Sequence, residues 1–202
     1  MKIIGLCGRS GSGKGYVCEM LAGRGIPSID TDAVYRELTC PGERPTDLTL
    51  ALAEEFGESV VAADNSLDRR ALAAIVFSDP AKLASLNALT HKHILDETRR
   101  RLAVLADRGC RAAIVDAPVL FESGFDSECD LTVCVTASEK KRVARIMRRD
   151  NIPEEAAEKR LASQKSDGDL IRRCSFVITN DGDDDALEKD LDRLTAILHV
   201  KE

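Results

Sequence analysis

Lys2-Ile3-Ile4-Gly5-Leu6-Cys7-Gly8-Arg9-Ser10-Gly11-Ser12-Gly13-Lys14-Gly15-Tyr16 decides the fold. An apolar run of strand length feeds a glycine-rich turn ending in Gly13-Lys14, and helix-type sequence follows from Tyr16 to Leu21. Strand, glycine loop and helix in that order form the context of a phosphate-binding loop. Gly8, Gly11 and Gly13 reach backbone angles closed to other residues, so successive N–H groups can turn inward around an anion. The helix that follows adds its unpaired N–H groups and the positive end of its dipole. Lys14 supplies a mobile charge for the outer phosphates. The nucleotide-binding set read from this stretch is Gly11, Ser12, Gly13, Lys14, Gly15 and Tyr16. One position departs from the motif: the residue after the lysine is normally Ser or Thr, whose hydroxyl ligates Mg²⁺, and here it is Gly15.

Working outward, Val17, Met20 and Leu21 continue a helical apolar stripe that Gly23 and Gly25 end. Gly25 to Asp30 reads as a short second strand closing on Asp30-Thr31-Asp32. Carboxylates at the carboxyl end of a parallel strand sit where open α/β sheets bind ligands, and either aspartate can also cap a helix starting at Ala33. From Ala33 to about Arg108 every stretch reads as helix (Leu48–Phe56, Arg69–Val76, Pro80–Leu89 and Ile94–Leu105), too long for one crossover and therefore a helical insertion. His91 and His93 stand two apart, on different faces of a helix, which argues against a shared metal.

Arg111 to Val115 is a buried-strand signal closing on Asp116, and Leu131 to Val135 is another. An apolar strand ending in Asp is the form of an element that holds Mg²⁺ directly or through water. Basic residues crowd the next helix, about Ser138 to Arg149, and Asn151 to Gln164 is read as a second polar helix carrying Arg160. Together they predict a lid over about residues 140–170, with Arg145, Arg149 and Arg160 facing phosphate. Phe176 to Asn180 is the last strand, and Asp183, Asp184 and Asp185 fall near the start of the last helix, where negative charge suits the dipole. Five apolar strands alternating with helices predict a five-stranded parallel sheet flanked by helices, in a single domain over 1–202.

Composition narrows the class. The chain has 202 residues, 44% hydrophobic but only 3% aromatic, so its core is aliphatic. A formal net charge of −6 argues against a nucleic-acid partner. Seven cysteines, an odd number without a Cys-x-x-Cys pair, fit a reducing compartment, with Cys7 and Cys134 read as small core residues. No stretch has a signal-peptide design or membrane-spanning length, so the expected location is cytoplasmic, with no membrane and no obligatory protein partner.

These motifs together resemble the dephospho-CoA kinase family. The blocks that carry the resemblance span nearly the whole chain: Ile4-Gly5-Leu6 through Lys14; Gly25-Ile26-Pro27 with Asp30-x-Asp32 and Arg36; Leu86-Asn87-Ala88-Leu89-x-His91; Asp116-Ala117-Pro118-x-Leu120-Phe121-Glu122; Arg149-Asp150; Arg160-x3-Gln164; and Val177-Ile178-x-Asn180-x-Gly182. The resemblance implies transfer of the ATP γ-phosphate to the ribose 3′-hydroxyl of dephospho-CoA, with Mg²⁺ as cofactor. It implies Asp32 as the base, Arg36 and His91 near the acceptor, and the insertion at about 33–108 as the CoA-binding region. Asp30 and Asp116 are the candidate metal carboxylates, directly or through water, and Asn180 a candidate ATP contact. Gly15, Tyr16 and Lys92 depart from the family's usual residues. Two other readings stand beside this one: another small-molecule kinase built on the same loop, and a nucleotide-binding module impaired by Gly15. A GTPase is disfavoured by the lack of an Asn-Lys-x-Asp motif.

Overall fold

The computed structural model describes residues 1–164 and 166–199. The chain divides into two compact units, one formed by Met1–Ile29 with Leu105–Glu202 and the other by Asp30–Val104.

The first unit is built on a parallel sheet in the order β2-β3-β1-β4-β5. Its strands are β1 (Lys2–Cys7), β2 (Ser28–Asp30), β3 (Ala112–Asp116), β4 (Leu131–Thr136) and β5 (Phe176–Thr179). β1 is central because it must be buried on both sides: Ile4 and Leu6 are fully buried, and so are Ala113 to Val115 of β3 beside it. Gly5 serves packing here, since a Cβ at that position would lie 2.8 Å from Cys129 Sγ and 2.9 Å from the Leu120 methyls. Helix α1 (Lys14–Ala22) lays Val17, Cys18 and Leu21 on the sheet. The last helix of the chain, Asp184–His199, adds Leu187, Leu191 and Leu194 to the same core. Burying one such leucine contributes about 2 kcal/mol or more.

β2 is shorter than the sequence predicts. Gly25, at φ 80, is the left-handed residue closing α1, and Ile26 N–H reaches back to Leu21 O over 3.0 Å. Those two residues therefore complete a helix terminus of Schellman type, and the strand starts only at Ser28.

The second unit has its own aliphatic core, centred on Leu48, Leu52, Val60, Leu72 and Val76. Its helices are α2 (Thr31–Glu37), α3 (Asp47–Phe56), α4 (Arg69–Val76) and most of α5 (Pro80–Asp107). α2 begins two residues before the predicted start at Ala33, because Asp30 caps it. The Asp30 carboxylate accepts from Asp32 N at 2.8 Å and Ala33 N at 3.1 Å. The two helices predicted at Pro80–Leu89 and Ile94–Leu105 are one helix of 28 residues. The join, Thr90-His91-Lys92-His93, contains neither Gly nor Pro, so nothing interrupts the hydrogen-bond ladder.

Glu97 on α5 receives Arg100 Nε at 2.7 Å and Arg101 Nε at 2.7 Å, and Arg101 also pairs with Glu37. The Arg100 guanidinium, with Arg101 beside it, holds the Glu97 carboxyl at about 2. A lowered carboxyl pKa stabilises the fold above the unfolded value of about 4.3 and loses that contribution as pH falls toward the folded value. Glu97→Gln is expected to cost about 1–2 kcal/mol at pH 7 after allowing for solvent screening. Urea melts of variant and parent should converge between about pH 4.5 and pH 2.

Candidate functional site

β1 ends at Cys7 and the loop begins at Gly8, so the loop leaves the carboxyl edge of the sheet at its centre. Its carbonyls are held from outside. Arg145, on helix α6 (Glu139–Asp150), donates to Gly11 O at 3.2 Å and to Ser12 O at 3.1 Å. Asn180, one residue past β5 and buried, donates its amide to Ser12 O at 3.1 Å. Arg145 also locks that amide, reaching Asn180 O at 2.9 Å and Oδ1 at 3.1 Å. The fit allows no side chain at Gly13: φ is 88, and a Cβ would stand 2.2 Å from Asn180 Nδ2.

With the carbonyls turned outward, the amides are left over. Among the described residues, the N–H groups of Gly13, Lys14 and Gly15 have no protein acceptor. They open α1, where the helix dipole adds positive potential. Lys14 Nζ donates to Gly8 O at 3.2 Å and lies 3.9 Å from Asp116 Oδ1. Asp116 pairs in register with Leu6, so the sheet itself fixes the carboxylate beside the loop. A cation and a carboxylate thus flank a cradle of free amides, an arrangement suited to a polyphosphate and the hard cation that accompanies it.

The basic region after β4 packs as α6, α7 (Glu154–Ala162) and α8 (Asp167–Arg173) around Val143, Ile146, Ala157 and Leu161. α7 is shorter than the Asn151–Gln164 expected, since Asn151 turns to φ 50 and Pro153 stands as N-cap. Arg149 donates to Asp150 at 2.7 Å and to Ser10 Oγ at 3.4 Å, and Arg160 also pairs with Asp150. The hydrogen bond from Arg149, with Arg160 nearby, keeps the Asp150 carboxyl below its ordinary range.

Three residues that the sequence reading gave no role hold the loop as well. Arg142, one of the basic residues crowding α6, is buried and donates to Asp167 at 2.9 Å. Arg9 approaches the same carboxylate at 3.8 Å and also donates to Leu161 O. Gln164 accepts the Ser10 N–H at 2.9 Å. These contacts tie the loop to α7 and α8. The signal for Arg142 was present: it precedes Val143 and sits one turn before Ile146, on the packed side of an amphipathic helix.

In the second unit, Asp30, Asp32 and Arg36 gather at the start of α2. Arg36 stands 3.4 Å from Asp30 Oδ2. Asp32 is exposed, and no hydrogen bond or ion pair engages its carboxylate among the described residues. His91 is half-buried in mid-α5, with no hydrogen bond to these three among the described residues. No group of three or more His, Cys, Asp or Glu side chains forms a metal cage among the described residues. A cavity of about 390 Å³ lies elsewhere, between Gly25-Ile26 and Arg108–Ala112 at the amino ends of β2 and β3.

A model of the dephospho-CoA kinase family matches residues 2–185. This chain belongs to the dephospho-CoA kinase family. The dephospho-CoA kinase of Corynebacterium efficiens is 37% identical over 193 residues, covering 96% of this chain and 95% of the relative. A crystal structure of TT1252 from Thermus thermophilus shares 32% identity with a TM-score of 0.78, covering 98% of this chain and 97% of that one. The dephospho-CoA kinase from Campylobacter jejuni, 23% identical over the whole of both chains, has a TM-score of 0.69 and shows the same fold. The family's members are ATP-dependent kinases that perform the final step of coenzyme A biosynthesis.

Because Asn180 holds the loop rather than closing a core gap, Asn180→Ala should act on ATP. Removing the amide takes away one of the two hydrogen bonds at Ser12 O and the Oδ1 acceptor of Arg145, each worth about 0.5–1.5 kcal/mol. The expected result is a rise of roughly tenfold or more in KM for ATP, with KM for the acceptor unchanged, measured by steady-state ADP release.

Proposed function

We propose that this chain phosphorylates the ribose 3′-hydroxyl of dephospho-CoA with Asp32 as the base and Lys14 neutralising the transferred phosphate. The observation that carries the reading is the loop: unpaired amides at Gly13, Lys14 and Gly15, with Lys14 and Asp116 3.9 Å apart beside them. ATP lays its phosphates in that cradle over Gly11, Ser12 and Gly13. Tyr16, 45% exposed one turn into α1, stays accessible to nucleotide. Arg145 and Asn180 spend their donors on the loop and so serve ATP by fixing the amides. Arg149 and Arg160, paired with Asp150 at the end of α6 while Arg149 also reaches Ser10 Oγ, supply charge from the lid.

A ribose hydroxyl is a weak acid, and a carboxylate that orients it and takes its proton as transfer proceeds is the useful catalyst. Asp32 has the carboxylate for it, exposed and without a protein partner among the described residues. Asp30 has one oxygen capping α2 and the other facing Arg36, so neither is left over for the acceptor hydroxyl. Arg36 and His91 contact the acceptor in this reading, and the Asp30–Val104 unit binds the CoA moiety.

Mg²⁺ fits the residues present. The donor beside the loop is a carboxylate oxygen from Asp116, and no protein cage surrounds it among the described residues. Mg²⁺ favours this arrangement, holding one or two carboxylates, substrate phosphates and several waters. Asp116 is the carboxylate we assign, with Asp30 engaged as a cap. When bound, Mg²⁺ neutralises charge on the β- and γ-phosphates. A water would take the place of the hydroxyl that Gly15 lacks. No helix among the described residues is long and apolar enough to cross a membrane, and a cytoplasmic site of action with ATP and dephospho-CoA as the partners completes the reading.

ADP release from Mg·ATP should depend on dephospho-CoA and fall at least a hundredfold in both Asp32→Asn and Lys14→Ala. Acceptor-independent ATP binding with no ADP release would instead favour an impaired nucleotide-binding module. Gly15→Ser is a clean probe of the metal, because a Cβ there meets nothing within 4 Å. Its turnover should stay within roughly tenfold of the parent; a hundredfold gain would show that water does not replace the hydroxyl.

A further inference from the structure

Three of the seven thiols meet under the start of the phosphate-binding loop. Cys7 ends β1 and Cys134 stands opposite it in register on β4. Cys174 lies between α8 and β5, and its sulfur is 3.4 Å from that of Cys7. Cys7 and Cys134 are buried, and Cys174 is half-buried, so one member of the trio meets solvent. None of the seven cysteines is in a disulfide. A trio of thiols is more than a lipophilic core needs, and phosphoryl transfer uses none of them.

The trio is chemically uneven. Hydrogen bonds from the Cys134 and Cys7 thiols, with Thr132 and the Arg173 charge nearby, hold the Cys174 thiol well below the ordinary range. Its neighbour on β1 goes the other way: Cys7 donates its S–H toward the Cys134 and Cys174 sulfurs, and this, then burial, pushes Cys7 up. The half-buried member is therefore the one shifted toward the thiolate, and thiolate character with access is what makes a cysteine oxidisable.

We propose that Cys174 and Cys7 form a peroxide-sensitive modification site whose disulfide disables the phosphate-binding loop. The Cys174 thiolate attacks one oxygen of a hydroperoxide. The O–O bond breaks, the sulfur becomes a sulfenic acid, and the leaving oxygen takes a proton as water or alcohol. The Cys7 sulfur then attacks the Cys174 sulfur. An S–S bond forms, the S–O bond breaks, and the hydroxide leaves as water with the Cys7 proton. Two thiols are oxidised by two electrons in total, and the peroxide is reduced by the same two.

The bond needs a sulfur separation of about 2.05 Å, so the two sulfurs must close by more than an ångström from 3.4 Å. Cys7 is joined directly to Gly8, whose backbone packs closely against β4. A Cβ on Gly8 would already lie 2.4 Å from Val135 O. Closing the bond drags on the first residue of the cradle, and ATP binding suffers.

The test uses the full chain. After treatment with hydrogen peroxide and trapping of remaining thiols with N-ethylmaleimide, peptide mapping should find Cys7 linked to Cys174. Turnover should fall at least tenfold and return with dithiothreitol. Cys174→Ser should keep its turnover in peroxide, and Cys40→Ser, which alters an exposed thiol, should remain sensitive. A link from Cys174 to Cys134, or no link at all, overturns the pairing. Equal inactivation of Cys174→Ser, or linked protein with full turnover, overturns the coupling to the loop. The turnover arm rests on the kinase reading; the peptide map does not, so the two can fail separately.

Discussion

Everything at the carboxyl edge of the sheet depends on loop carbonyls being bound from outside. A peptide group has a donor and an acceptor pointing in opposite directions, so free inward amides require satisfied outward carbonyls. Arg145 and Asn180 supply that satisfaction at Gly11 and Ser12. Those two side chains come from different elements, α6 and the end of β5, and Arg145 clamps Asn180 as well. The cradle is therefore pre-organised before any phosphate arrives, and little ordering is left for binding to pay for. The glycines follow from this arrangement, since at Gly13 the space a Cβ would take belongs to Asn180.

Much of this was legible in the chain. Strand-loop-helix order, strand-end aspartates and apolar strands with helices between them depend on local pattern, and each of the five strands was found from it. What sequence pattern misses is commitment of side chains across the fold. Asn180 and Arg145 were read as nucleotide contacts, and the hydrogen bonds that both donate to the loop carbonyls carry no local signature. Arg142, one of the basic residues of α6, is buried against Asp167. The α5 error has a different cause: apolar spacing alone does not show whether two stripes join, and only the lack of a breaker at Thr90–His93 decides it.

Two kinds of ion pair in the α6–α8 region differ in what they allow. Arg142–Asp167 is buried on the arginine side at 4% exposure, and breaking such a pair strands a charge at a cost of about 3–5 kcal/mol. Arg149 and Arg160 share Asp150 at 60% and 45% exposure, where a pair is worth about 0–1 kcal/mol. The first kind holds α8 to α6 and, through Arg9, to the loop. In the function proposed above, the second kind would exchange for a phosphate at little cost, because a more highly charged anion would compete with Asp150 for the same guanidinium groups. The region is thus built to keep its internal shape while trading its outer partners. That is the property a lid needs if it is to bring positive charge to a transferring phosphoryl group and release it afterwards.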